Sequence, residues 1–155
     1  MADGTVWSAV KNYLQDPDIL AQLAYIDPNT SAEITPPIRF ENETFNKPNP
    51  PAPWIAVETF GILSGQESIG ASVQADNRWD ETGYFGIKVL VASGTGTDLA
   101  RQIAHDIRLG IFRGLLLMND ELEFLEANES EGGTSEEEGN WFEIPITIKY
   151  RHVEA

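Results

Sequence analysis

The sequence contains no cysteine, which excludes disulfide bonds, thiolate nucleophiles and cysteine-ligated zinc or iron–sulfur sites. Only two histidines, His105 and His152, remain as imidazole bases or ligands. Neither has a second histidine near it in the sequence. These absences remove most metal and catalytic-triad chemistry, and no cofactor is expected.

Basic residues are also scarce, because 10 Lys and Arg stand against 25 Asp and Glu, for a formal net charge of −15 over 155 residues. A surface of this sign repels phosphate and is not typical of a general nucleic-acid binder. Long apolar runs are missing too, since Leu115–Met118 is far below the roughly 20 residues of a membrane span. The first residues lack the pattern of a signal peptide. We therefore expect a soluble protein of a reducing compartment, with no membrane association.

The remaining composition is sufficient for one domain over residues 1–155, because 41% of the positions are hydrophobic. Helical spacing of apolar residues predicts a helix over Val6–Leu14, which Asp16-Pro17 ends or bends. A second helical stripe is predicted in the middle of the chain, from Leu99 to Ile111, and Gly114 should end it.

Alternation with a period of two predicts strands at Ile38–Phe45, Trp54–Phe60, Tyr84–Ala92 and Phe142–Tyr150, with a short strand at Leu122–Phe124. Pro145 lacks a backbone donor, which places the last strand at a sheet edge or the proline at a bulge. The expected fold is therefore α+β, with a mixed, mainly antiparallel sheet of about four to six strands packed by an N-terminal helix and a central helix.

Two segments resist a simple assignment. Leu63–Asp80 is rich in Gly, Ser, Gln and Asn, and is either an extended hairpin arm or a mobile loop. It carries three candidate interface residues, Ile69, Arg78 and Trp79, of which the tryptophan is the best candidate for an exposed anchor. The Glu126–Asn140 segment is expected to be a solvated, mobile loop, because Asn119 to Glu143 contain ten acids and no base.

The sequence offers only weak candidates for a catalytic or ligand-binding site. The stretch from Gly94 to Asp98 follows a strand and opens a helix, as a phosphate-binding loop does. Its third glycine is missing, however, and Asp98 would face the anion, so an ordinary strand-to-helix turn is favoured. The many carboxylates single out no pair facing each other across a cleft. We assign no catalytic, cofactor-binding or metal residue, and expect no enzyme.

The central helix carries the best candidate surface. Its outer face is predicted to present Arg101, His105, Arg108 and Phe112, three of which are polar or basic. In a chain with so few bases, this concentration indicates a contact surface for a partner.

The order of these segments resembles that of a known family. The resemblance lies in four stretches: Ile38–Phe45, Pro53–Val57, Thr82–Val91 running into Gly94–Thr97, and Gly139–Ile146. Together they look like the tail terminator proteins of long-tailed bacteriophages, the lambda-type family, over most of the chain from about residue 38 onward.

The resemblance implies a structural virion protein rather than an enzyme. A tail terminator forms a hexameric ring that caps the tail tube, stops its polymerisation and offers the head connector or stopper a surface for head–tail joining. It would lie at the head-proximal end of the tail and be assembled in the host cytoplasm. DNA would pass through the acidic ring without specific binding.

Two alternatives stay open at this point. Another phage neck or tail-completion connector subunit would share these features and differ only in its assembly partners. A nucleotide-binding enzyme domain that uses the Gly94-Thr95-Gly96 turn is the second alternative.

Overall fold

The computed structural model describes residues 4–66, 79–118, 120–134 and 140–154. The chain begins with helix α1 (Gly4–Gln15) and helix α2 (Pro17–Gln22). Asp16 separates them and caps α2 by accepting a hydrogen bond from the Asp18 amide at 2.9 Å. The predicted first helix and its interruption by Asp16-Pro17 are therefore confirmed.

Nine strands lie in the described residues. A small antiparallel pair, β1 (Tyr25–Ile26) and β2 (Glu33–Ile34), precedes the main sheet. The strands of the main sheet are β3 (Ile38–Phe40), β4 (Trp54–Gln66), β5 (Trp79–Ala92), β6 (Leu116–Leu117), β7 (Leu122–Glu129), β8 (Gly133–Thr134) and β9 (Trp141–Glu154).

The spatial order of the main sheet is β3-β4-β5-β9-β7-β6, with β8 beside β9. Only β3 pairs in parallel, with β4, and every other pair is antiparallel. The expected α+β fold with a mixed, mainly antiparallel sheet is confirmed, with seven strands among the described residues. The predicted strand from Ile38 is shorter than expected, because pairing stops at Phe40 and Asn42 adopts a φ of +56°.

The core lies between one face of the sheet and the helices. Helix α1 buries Val6, Val10 and Leu14, which follow one another at four-residue spacing. Helix α3 (Asp98–His105) continues into a π-helical segment, Asp106–Ile111, and Gly114 with a φ of +69° follows. The sheet contributes alternate residues of β4, β5 and β9 to this core, namely Ile55, Val57, Phe85, Ile87, Val89, Val91, Ile144, Ile146, Ile148 and Tyr150.

The opposite face of the sheet carries a smaller apolar cluster and a row of charges. Trp54 and Trp141 meet edge to face with ring centroids 5.8 Å apart, and the Arg39 guanidinium lies 5.0 Å from the Trp54 ring. Next to this cluster, Glu58 lies 3.8 Å from Arg39 and 3.7 Å from Lys88. Charges of both signs on the outer face therefore neutralise one another locally.

The expectation that the last strand lies at the sheet edge is wrong. Strand β9 is central, paired with β5 on one side and with β7 and β8 on the other. Pro145 instead lies opposite the interruption between β7 and β8, which corresponds to the predicted alternative of a proline at a bulge. The Pro145 carbonyl accepts a hydrogen bond from the Ser130 amide at 2.9 Å, between the end of β7 and the start of β8. The nitrogen and the carbonyl of one strand residue point to the same side of the strand. The Pro145 nitrogen, which has no hydrogen to donate, therefore faces this break in pairing.

The expectation of a loop over the whole Glu126–Asn140 segment is also wrong for its first part. Residues up to Glu129 belong to β7, and Gly133–Thr134 form β8. The strand continues through a bulge between Phe124 and Ala127, after which Ala127 pairs with Ile148 and Glu129 with Ile146. Residues 135–139 lie outside the described part of the chain, so the predicted mobility there stays a prediction.

For the described ends of Leu63–Asp80, the structure decides between a hairpin arm and a loop in favour of the hairpin arm. Leu63 pairs with Thr82 and Gln66 with Trp79, so β4 and β5 form a long hairpin up to these residues. Residues 67–78 between them lie outside the described part of the chain.

A pH-dependent contribution to stability is expected from Tyr13. Its hydroxyl donates a hydrogen bond of 2.6 Å to the Ile111 carbonyl and so joins α1 to the end of the π-helical segment. Burial, with a smaller effect of nearby Asp16, raises the pKa of Tyr13 above its ordinary value of 10.0. The stabilisation is therefore complete below about pH 10, where the unfolded tyrosine is also protonated, and is lost as the pH rises through the higher folded pKa.

Tyr13→Phe should lower the free energy of unfolding by about 1 kcal/mol at neutral pH. The difference between variant and parent should shrink above pH 10, because only the parent then loses stability through this residue. Urea unfolding of both proteins between pH 7 and 11 measures this difference. A gap that stays constant over the whole range would show that Tyr13 ionisation is not linked to folding.

Candidate functional site

Helix α3 and its π-helical continuation present three of the predicted interface residues on one exposed surface, here called the basic face: Arg101, His105 and Arg108. The side chains of Arg101 and His105 are 57% and 61% exposed. They face solvent because Ala100, Ile103, Ala104 and Ile107 occupy the buried side of the same turns. The predicted outward position of these three residues is thus what the structure shows.

Strand β7 adds an acidic residue to the basic face. The Glu129 carboxylate lies 3.6 Å from Arg101 Nη1 and 4.0 Å from Arg108 Nε. Both distances exceed a normal hydrogen bond, and Arg108 Nε and Glu129 Oε1 are buried atoms without a hydrogen-bond partner. Among the described residues, the two arginines therefore share one carboxylate, and their excess positive charge favours a further carboxylate from a partner.

A shallow groove of about 540 Å³ borders the basic face. It is lined by Arg101 and by the connection from β7 to β8, namely Glu129, Ser130, Glu131 and Gly132. Arg101 Nε also donates to Thr97 Oγ1 at 3.3 Å, which ties the arginine to the start of its helix. The groove gives the basic face a concave border against which a partner segment can pack.

The predicted outward position of Phe112 is wrong. Phe112 is only 1% exposed and packs against Phe85, Phe124 and Tyr13, with ring centroids 5.2 to 5.5 Å apart. The cause is the π-helical segment, in which the Phe112 amide bonds to the Ile107 carbonyl, five residues earlier. This wider turn delays the helical rotation, so Ile111 and Phe112 both reach the core.

The other three predicted interface residues cannot be placed in the same way. Ile69 and Arg78 lie outside the described residues. Trp79 begins β5, where its backbone pairs with Gln66 on one side and Glu154 on the other. The expected role of these residues in binding a partner stays a prediction.

The Gly94–Asp98 stretch forms a compact turn. Gly94 and Gly96 have φ values of +85° and +82°, which explains why glycine occupies both positions. Thr95 Oγ1 donates to the Ala92 carbonyl at 2.7 Å, and Asp98 lies in the first turn of α3. The carboxylate occupies the helix end where an anion would bind, so the geometry favours a turn over a phosphate loop.

Sequence reasoning missed a buried polar cluster that joins β5 to β9. Glu81 is 2% exposed, and its Oε1 accepts a 2.9 Å hydrogen bond from the Tyr150 hydroxyl. His152 Nδ1 lies 3.6 Å from the other carboxylate oxygen. The signal was present in the alternation, because Glu81 shares a strand face with Phe85 and His152 shares one with Ile148. The cluster joins two central strands of the sheet.

Among residues 4–66, 79–118, 120–134 and 140–154, no three acidic or histidine side chains are grouped so as to hold a metal ion. Over the same ranges, no helix has the length and apolar character needed to cross a membrane.

The basic face is thus a row of charged side chains on one helix of an α+β fold. A family model described as phage tail terminator protein matches residues 5–150. The chain therefore belongs to the phage tail terminator protein family, and is a structural component of a phage tail. This confirms the resemblance drawn from the sequence.

A solved structure of another protein is similar in fold, with a TM-score of 0.62 and 18% sequence identity. The alignment covers 100% of this chain and 97% of that chain. At this identity the similarity supports the fold alone. A comparison with curated proteins gives no match.

The buried cluster leads to a stability prediction. Glu81→Ala removes the acceptor of the Tyr150 hydroxyl and the carboxylate beside His152, and should lower the free energy of unfolding by about 1–3 kcal/mol. Glu126→Ala, at an exposed position of β7, is the matched control and should change stability by no more than about 0.5 kcal/mol. Chemical denaturation at neutral pH measures both, and equal stabilities would show that the cluster has no structural role.

Proposed function

We propose that this protein is a ring-forming tail terminator that caps the tail tube, stops its polymerisation and provides the interface for head–tail joining. The observation that carries the proposal is the family match over residues 5–150, which includes both the sheet and the basic face. The partners are further copies of the chain, in a ring of six, together with the tail tube protein and the head connector or stopper. The ring lies at the head-proximal end of the tail and is assembled in the host cytoplasm.

The basic face supports this proposal by its charge. Copies that each carry −15 repel one another over most of their surface. In the described part of the chain Arg101 and Arg108 share one carboxylate, so this surface can accept an acidic group of a neighbouring subunit without adding to the repulsion. A ring contact therefore fits here better than on the acidic remainder.

The same charge supports a passive passage for DNA. A ring of acidic subunits repels phosphate wherever no basic stripe is concentrated, so DNA would slide through it without specific binding. Fluorescence anisotropy with a labelled duplex at physiological salt should show no appreciable binding. Micromolar affinity that falls steeply with added salt would contradict the passive passage.

The capping activity is tested by polymerising tail tube protein in the presence of this protein. Substoichiometric amounts should end tube growth and give short tubes that carry a ring at one end, seen by electron microscopy. Tubes of unchanged length would contradict the terminator function. Binding to a head connector without any effect on tube growth would instead indicate another neck or tail-completion subunit.

The ring contact is tested by reversing charge on the basic face. Arg101→Glu with Arg108→Glu should weaken assembly, because each places a like charge against an acidic neighbour. Arg113→Glu, an exposed position on the same chain segment, is charge-matched to each single reversal, Arg101→Glu or Arg108→Glu, and should leave assembly intact. Native mass spectrometry measures the assembled fraction, and thermal unfolding checks that each subunit folds. An unchanged hexamer in the double variant would remove the basic face from the interface.

A further inference from the structure

Strand β4 has a long open edge. Strand β3 pairs only with Ile55–Val57, whereas β4 continues to Gln66. Among the described residues, no strand lies beside Thr59–Gln66 on the side away from β5. We call this stretch the β4 edge.

The backbone of the β4 edge is oriented for pairing. The Ile55 amide donates to the Pro37 carbonyl at 2.9 Å, on the side of β3, and amides of a strand alternate between its two sides. The bulge between Thr59 and Gly61 adds Phe60 and shifts this alternation by one residue. The N–H and C=O groups of Ile62, Ser64 and Gln66 therefore face the open side.

The β4 edge lacks the usual protection against pairing. Thr59–Gln66 contain no charged residue and no proline, although 23% of the whole chain is charged. Natural proteins usually protect an exposed edge with lysine, other charges, proline or a covering segment. An edge without charges or proline, in a chain that has both elsewhere, is therefore suited to accept a strand.

The other side of the sheet ends in a second open edge. Strand β6 pairs only with Leu122 and Glu123, and the Phe124 amide donates to the Leu115 carbonyl at 3.1 Å. The Ser130 amide points to β9. Because successive amides of a strand alternate between its two sides, the amides of Ala127 and Glu129 point away from β9. Beyond Phe124, no strand of the described residues follows on that side. We call residues 125–129 the β7 edge.

We propose that the β4 edge pairs with the β7 edge of a neighbouring copy, so that one sheet continues from subunit to subunit. This inference rests on the proposed ring. The two edges differ and lie at opposite ends of the sheet, as a head-to-tail contact requires. Two β4 edges paired together would instead close a two-fold dimer.

Charge favours the same arrangement. The β7 strand carries Glu123, Glu126 and Glu129, so two β7 edges side by side would bring like charges together. The uncharged β4 edge accepts this acidic strand without such repulsion. Glu129 is in addition compensated by Arg101 and Arg108 of its own subunit. A second copy of the chain therefore fits the β4 edge.

The absence of native cysteine allows a direct test by disulfide crosslinking. Ser64→Cys is combined in turn with a cysteine at each of residues 125–129, which covers both faces of the β7 edge and every register along it. The protein is oxidised in the presence of tail tube protein and separated on a denaturing gel without reductant. At least one of these combinations should give a ladder of species up to the full ring, and each single variant should give none.

The outcomes distinguish this inference from the proposed function. Dimers formed by Ser64→Cys alone would overturn the inference in favour of symmetric β4 pairing. The absence of crosslinks in a protein that still forms rings would overturn the inference and leave the ring intact. The absence of both rings and crosslinks would contradict the proposed function as well.

A second pair of variants tests the backbone bonds themselves. Ser64→Pro removes an outward N–H but leaves the β4–β5 hydrogen bonds intact, and Ser64→Ala keeps the N–H. Ser64→Pro should weaken association by about tenfold or more, the effect of roughly one lost hydrogen bond, and Ser64→Ala should not. Equal association of the two variants, with equal melting temperatures, would contradict pairing at this edge.

Discussion

The alternating apolar face of β9 is the constraint on which the rest of the structure depends. Ile144, Ile146, Ile148 and Tyr150 are fully buried, and full burial of each isoleucine side chain stabilises the fold by about 1.5–3 kcal/mol. The strand pairs with β5 over its whole length and with β7 and β8 on its other side. A shift of one residue in strand register would turn this face to solvent. Its burial therefore fixes the register of the neighbouring strands and the position of α3.

The functional surfaces follow from that register. Because α3 and its π-helical continuation bury Ile103 and Ile107 in the same core as β9, their opposite side carries Arg101 and Arg108. The β9–β7 register then places Glu129 beside both arginines. At the far side of the sheet, the length of β4 beyond β3 leaves an uncharged edge unpaired within the described residues. One packed sheet thus presents a charged helix face and two different edges, which is a suitable geometry for a subunit that repeats around a ring.

The sequence predicts elements where one periodicity holds without interruption, as in α1, β5 and β9. It fails where a local irregularity changes the phase. The π-helical turn brings Phe112 inside, and a helical wheel of constant period cannot show this. Pro145 occupies a central strand because the partner strand is interrupted opposite it, which depends on residues far away in sequence. The buried contact between Glu81 and His152 was not predicted, because a polar residue on a core face is recognised only once both strand registers are known. The acidic count between Asn119 and Glu143 concealed the continuation of β7 beyond Phe124, where Glu129 is compensated by arginines of another element.

The most direct test of the account is the mass of the purified protein in solution, measured by light scattering with and without tail tube protein. The account predicts a discrete closed oligomer, six copies in the expected ring, that binds the end of the tube and is present at least when tube protein is added. A single-subunit mass under both conditions, with no protein bound to the tube, would contradict it.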